Sequence, residues 1–112
     1  MKFYITLPEP GRARGELPAL SFSGHSAESF AEQLRYALAD RAYSRAWLAT
    51  LDEDDAERVD PALLAVDAAA GVTGTQRDLA IELVADTRIN GSAFKHRMRL
   101  LAGAHWQLRD VR

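Results

Sequence analysis

The stretch RDLAIELVADTRINGSAFKHRMRLLAG, residues 77–103, constrains the fold more than any other part of the chain. Asn90-Gly91 near its centre is the dipeptide that a type I′ hairpin turn favours, because both central residues of that turn take positive φ. A two-residue loop there sets a single register. One face pairs Thr87 with Phe94, Ala85 with His96, Leu83 with Met98 and Ile81 with Leu100. The other face pairs Asp86 with Lys95 and Glu82 with Arg99. Each opposite-charge cross-strand pair is worth roughly 0.2–1 kcal/mol. A slip of one residue would mix apolar and ionic side chains on both faces. The competing reading is a helix over 92–102, since Phe94, Met98 and Leu101 also fit helical spacing. That reading leaves Leu100 off the stripe and does not account for the charge matching.

With the hairpin, Gly103 opens a second tight turn and residues 105–111 form a third strand, with Trp106 and Leu108 on one side. The C-terminal third is then an antiparallel meander. Its inner face is Leu79, Ile81, Leu83, Phe94, Met98, Leu100, Trp106 and Leu108. Its outer face carries Lys95, Arg97 and Arg99, joined by Arg109 from the neighbouring strand.

Earlier in the chain, KFYITL (2–7) alternates apolar and polar residues and predicts a half-buried strand that Pro8 and Pro10 end. Residues 8–18, with three prolines and two glycines, predict a flexible loop. Leu20 and Phe22 suggest a short second strand. Ser26 is a good N-cap, Glu28 suits the first turn, and Phe30, Leu34 and Leu38 recur every four residues. Together they predict a helix over about 27–39. Arg41 and Arg45 fall where that apolar stripe should continue, so a break is expected near Asp40. A second helix follows to about Leu51, burying Trp47, Leu48 and Leu51. The acidic run 52–57 reads as a connection. Asp60-Pro61 marks the start of a further helix over 61–70, and 71–75 reads as a loop.

These elements sum to one α+β domain over residues 1–112. It has an antiparallel sheet of about four to five strands, built from the N-terminal strand or strands and the C-terminal meander, with two or three helices covering one face. The element order is similar to a PAS-like arrangement, in which helices between the second and third strands wrap a five-stranded sheet.

Composition closes several routes. The chain has no cysteine, which excludes disulfide scaffolds, thiolate metal sites and Cys nucleophiles. The net charge of -2 excludes a uniformly basic nucleic-acid coat. Charge is uneven, however: residues 1–85 carry -6 and residues 86–112 carry +4. No secretory signal or membrane-length apolar run is present, which reads as a cytoplasmic protein. Twelve arginines against two lysines, with abundant alanine, suggest a GC-rich bacterial genome.

Chemistry-bearing motifs are sparse. His25, His96 and His105 have no metal-ligand spacing, and no cofactor or metal is expected. Gly71–Thr75 lacks the lysine of a phosphate-binding loop, and Asp52–Asp55 lacks calcium-loop spacing. Ser23-Gly24-His25-Ser26 reads as a turn and helix cap. A His96–Asp110 pair could serve as a general base and its orienting carboxylate, but an ordinary polar contact at the core's edge is the plainer reading. The expected function is therefore non-enzymatic binding of a protein partner, or of a second copy, through Lys95, Arg97, Arg99 and Arg109 on the outer sheet face. Arginine suits such contacts because it grips carboxylates with two bonds. The alternative is a ligand-sensing domain with a pocket between helices and inner sheet face near His96, Met98, Trp106 and Asp110. Nucleic-acid binding is unsupported, because no aromatic stands between the bases of the predicted outer face.

Overall fold

A computed structural model describes residues 1–112. Strands β1 (Lys2–Leu7), β2 (Gly71–Arg77), β3 (Ala80–Asp86) and β4 (Gln107–Val111) form one antiparallel sheet in the order β2-β3-β1-β4. The helices are α1 (Ala27–Ala39), α2 (Arg41–Leu48), α3 (Glu53–Glu57) and α4 (Gly91–Ala102), with short 3₁₀ turns at Pro10–Arg12 and Pro61–Leu64. The protein is α+β. Its connectivity is that of the split β-α-β (ferredoxin-like) pattern, with α1–α3 elaborating the first crossover and α4 making the second.

The alternation in β1 sends Phe3, Ile5 and Leu7 to one side, where they are buried beside Ile81, Leu83 and Ala85 of β3. Two helices cover that side. Helix α1 brings Phe30, Leu34 and Leu38, and α4 brings Phe94, Met98 and Leu101, all in one core cluster. The Phe94 ring lies on Phe3 with centroids 4.0 Å apart, which fixes α4 over β1. Burying each such side chain stabilises by roughly 1.5–3 kcal/mol. Helix α1 runs close across β2 at Gly74, where any side chain would meet the Ala27 carbonyl. The opposite face of the sheet is open.

The helix cap expected at Ser26 is realised, and Asp40 and Asp52 add caps that were not expected. Ser26 and Ser29 form a reciprocal capping box, Asp40 caps α2, and Asp52 caps α3. The expected break at Asp40 is a change of axis in which one residue ends α1 and begins α2.

Several expectations are corrected. The segment after Asn90 is helix α4, so there is no C-terminal meander. Asn90 has φ -67° and its side chain accepts from the Ala93 N–H at 2.9 Å, which makes it an N-cap rather than a turn residue. Only Asp78 and Gly103 have positive φ, so the type I′ geometry is absent at 90–91. The charge matching dissolves as well: Glu82 pairs with Arg77 at 3.1 Å, and Asp86 faces the terminal amine at 3.9 Å. The hairpin lies one element earlier, between β2 and β3, with Asp78-Leu79 at its tip and Leu79 exposed. Residues 71–75, expected as a loop, belong to edge strand β2. Leu20 and Phe22 are buried but outside the sheet, and the Phe22 N–H donates to the Leu101 carbonyl. The acidic run forms α3, and the helix expected over 61–70 is one 3₁₀ turn. The main helical insertion follows the first strand, so the PAS-like order is not present.

Candidate functional site

The four basic residues singled out in the sequence separate into three environments. Lys95 and Arg99, one turn apart on α4, are exposed. Arg109 lies on edge strand β4 and donates to Gln107 Oε1 at 3.1 Å. Arg97 is the largest fully buried side chain in the protein, at 1% exposure. It cannot be an outer contact. Helical spacing places it on the stripe of Ala93, Phe94, Met98 and Leu101.

The Arg97 guanidinium has no carboxylate partner. Nη1 donates to the Ala37 carbonyl at 2.9 Å. Nη2 donates to Leu63 and Ala65 carbonyls at 2.9 and 2.6 Å, and to Ser44 Oγ at 3.1 Å. Ala37 lies in the last turn of α1, and Leu63 and Ala65 close the 3₁₀ turn, where carbonyls lack helical partners. The negative ends of these helices take the place of a counter-ion. Burial nevertheless pulls the guanidinium below its ordinary pKa. Arg97 thus ties α4 to α1, α2 and the 61–65 segment.

The four residues of the expected pocket do not converge. Met98 is sealed in the core. His96 sits edge-on to Trp47 with centroids 4.3 Å apart, and its Nδ1 is buried without a partner. Burial, then the charges of Arg97 and Arg99, hold the imidazole below its usual pKa. Asp110 pairs with Tyr4 of β1 on the open side of the sheet and binds Arg112 at 2.7 Å. The sheet therefore stands between His96 and Asp110, and they form no acid–base pair.

Trp106 does meet two of the basic residues. A surface groove of about 670 Å³ is lined by Leu17, Leu100 and Trp106, with Lys95, Arg99 and Glu16 on its polar margin. Gly103, at φ 62°, turns the chain out of α4, and the indole N–H of Trp106 donates back to its carbonyl at 3.0 Å. The other wall comes from the 8–18 segment, which runs against α4 where Gly15 lies on the Leu100 carbonyl, and Ser21 just beyond it reaches the Leu101 carbonyl at 3.3 Å. Ser21 Oγ accepts from the Gly15 N–H at 2.8 Å and donates to the Phe22 carbonyl at 2.9 Å. Leu100, which falls off the buried stripe of α4, is one of the apolar side chains in this groove. Neither Lys95 nor Arg99 has a carboxylate within 4.0 Å, although Glu16 borders the same groove.

The participation of Glu16 and Leu17 has no sequence signal, because no periodicity links a proline-rich segment to a helix 80 residues away. No group of three or more His, Asp or Glu side chains is placed to hold a metal ion. No helix is long and apolar enough to cross a membrane. No protein-family model, curated protein or solved structure matches the chain.

Proposed function

We propose that the protein is a non-enzymatic binding domain that takes an acidic protein segment in the groove beside α4. The observation that supports it most is the pair Lys95 and Arg99, without ion-pair partners, flanking the apolar surface of Leu17, Leu100 and Trp106. Such a groove offers an apolar anchor point and two cations to orient a carboxylate-bearing partner. The outer sheet face serves this role less well, because two of its arginines are already paired, Arg77 with Glu82 and Arg112 with Asp110, and it offers no apolar groove beside a pair of free bases.

A second copy of the chain carries a matching segment. Asp52, Glu53, Asp54, Asp55 and Glu57 are consecutive or nearly so around α3, all are exposed, and none is paired with a base. Head-to-tail association would bring this run to the Lys95–Arg99 margin. Sedimentation velocity checks it. The wild-type protein is expected to associate with rising concentration at low salt, and less so as salt screens the charges. Lys95→Glu/Arg99→Glu and Asp54→Lys/Asp55→Lys should each be monomeric and folded. Mixed together, they should form a one-to-one dimer, since each keeps one intact surface. A wild-type protein that stays monomeric throughout would refute association through a second copy.

A further inference from the structure

We propose that the surface depression between α2 and residues 61–66 is a binding site for an organic phosphate, independent of the groove beside α4. The depression has a volume of about 480 Å³. Arg41, Ser44 and Arg45 of α2 line one side, and Leu48, Leu64 and Val66 supply apolar wall. No carboxylate lines it, in contrast to the α4 groove with its Glu16.

Three features point to an anion of this class. Arg41 and Arg45 stand one turn apart on the same helix face, an arrangement of like charges that is unfavourable until an anion lies between them. Neither has an ion-pair partner. Ser44, on the inward side of the same helix and 6% exposed, lines the depression with them; its Oγ accepts from Arg97 at 3.1 Å, and its own proton reaches no acceptor in the protein. Behind it, buried Arg97 adds a full positive charge that carbonyls solvate but no carboxylate cancels.

Two guanidinium groups and a free hydroxyl offer more donors than the two oxygens of a carboxylate can use. They suit the three terminal oxygens of a phosphate monoester. The apolar wall would then take the organic part of the same molecule. Arg97 is a positioning residue here: it orients the Ser44 hydroxyl and does not touch the ligand.

The test is an NMR titration of the full chain with phenyl phosphate, inorganic phosphate and benzoate. Phenyl phosphate should give saturable shifts confined to residues 41–48 and 61–66, with affinity about tenfold above inorganic phosphate. Benzoate should bind at least about tenfold more weakly than phenyl phosphate. Arg41→Gln/Arg45→Gln should abolish the shifts while keeping the wild-type fold. Lys95→Glu/Arg99→Glu should bind phenyl phosphate like the wild type, so failure of the groove proposal leaves this one standing. Unsaturable shifts, equal binding of benzoate, or binding that survives in the Arg41/Arg45 variant would overturn it.

Discussion

Basic side chains stand on the open face of the sheet and on α4, and the two regions treat them differently. On the sheet, Arg77 lies against Glu82 at 3.1 Å, while Arg112 lies against Asp110 at 2.7 Å and over the ring of Tyr4. Strand pairing brings these acids and bases side by side, and leaves Lys2 and Arg109 as the bases of this face without a carboxylate partner. On α4, successive basic residues point in different directions. Lys95 and Arg99 reach solvent without a partner, and Arg97 turns inward to a cluster of carbonyls. The sheet pairs Arg77 and Arg112 with neighbouring carboxylates. The helix leaves two of its charges free for an external partner and uses the third as a structural pin.

The sharpest way to break this comparison is to remove the pin. Arg97→Met should destabilise the protein by about 3–4 kcal/mol, because the buried Ala37 carbonyl and the half-buried Leu63 and Ala65 carbonyls lose a charged donor. Urea unfolding measures it. Arg99→Ala, two residues away and exposed, should shift stability by less than about 0.5 kcal/mol. Equal effects from the two substitutions would contradict the separation of their roles.

A second inward-facing charge comes from the acidic side of the ledger. Asp67 is 5% exposed and accepts from the Arg88 and Ala69 N–H groups at 2.9 and 3.0 Å, and from Thr87 Oγ1 at 3.0 Å. The Arg88 N–H, then the other donors, hold its carboxyl below the ordinary value. Asp67→Ala should cost about 2–3 kcal/mol, since it leaves the buried Thr87 hydroxyl and the part-buried Arg88 and Ala69 N–H groups unpaired. The native carboxyl has the lower pKa, so its contribution is present above the unfolded value near 4 and is lost as pH falls through the native value. Acid unfolding of the wild type should show this step, and Asp67→Asn should lack it.

Much of this was legible from local chemistry, and the part that was not has an identifiable cause. The period of two in β1, the Ser26 and Asp60 caps and the break at Asp40 appear in the structure because each depends on neighbours within four residues. Asn90-Gly91 satisfies two local rules at once, as a hairpin turn and as the start of a helix. Tertiary packing decides between them: the Phe94–Phe3 stack and the buried Met98 and Leu101 require the helical spacing. Strand β2 was obscure for the opposite reason. GVTGTQR has no strong apolar face, and its strand form depends on pairing with β3. The same distinction governs the candidate sites. Lys95, Arg99 and Trp106 were visible as residue types, whereas Leu17 joins them, and Ser44 joins Arg97, only through long-range folding.

His96 extends the comparison to pH. Its imidazole lies edge-on to Trp47 with Nδ1 buried and unpartnered, and burial, then the charges of Arg97 and Arg99, disfavours a proton there. The native imidazole has the lower pKa, so the unfolded chain binds the proton first. Stability is full above the unfolded value of about 6.5 and falls as pH drops from there to the native value, below which the loss levels off. Urea midpoints measured across that interval should decline in the wild type and stay flat in His96→Gln. A decline of equal size in the variant would assign it to another group.

The smallest effects are expected on the open sheet face, and they complete the contrast. Arg77→Ala and Glu82→Ala remove one exposed pair between neighbouring strands. Each should change stability by less than about 0.5 kcal/mol, because water already solvates both partners. The double variant should equal the sum of the two within about 0.3–0.5 kcal/mol. Sedimentation of the same variants should match the wild type, whereas Lys95→Glu/Arg99→Glu should not. If Glu82→Ala, which unmasks Arg77, instead strengthens association, then neutralisation was what kept the sheet face silent. Free charge, rather than the apolar anchor of Leu17 and Trp106, would then be the feature that selects a partner.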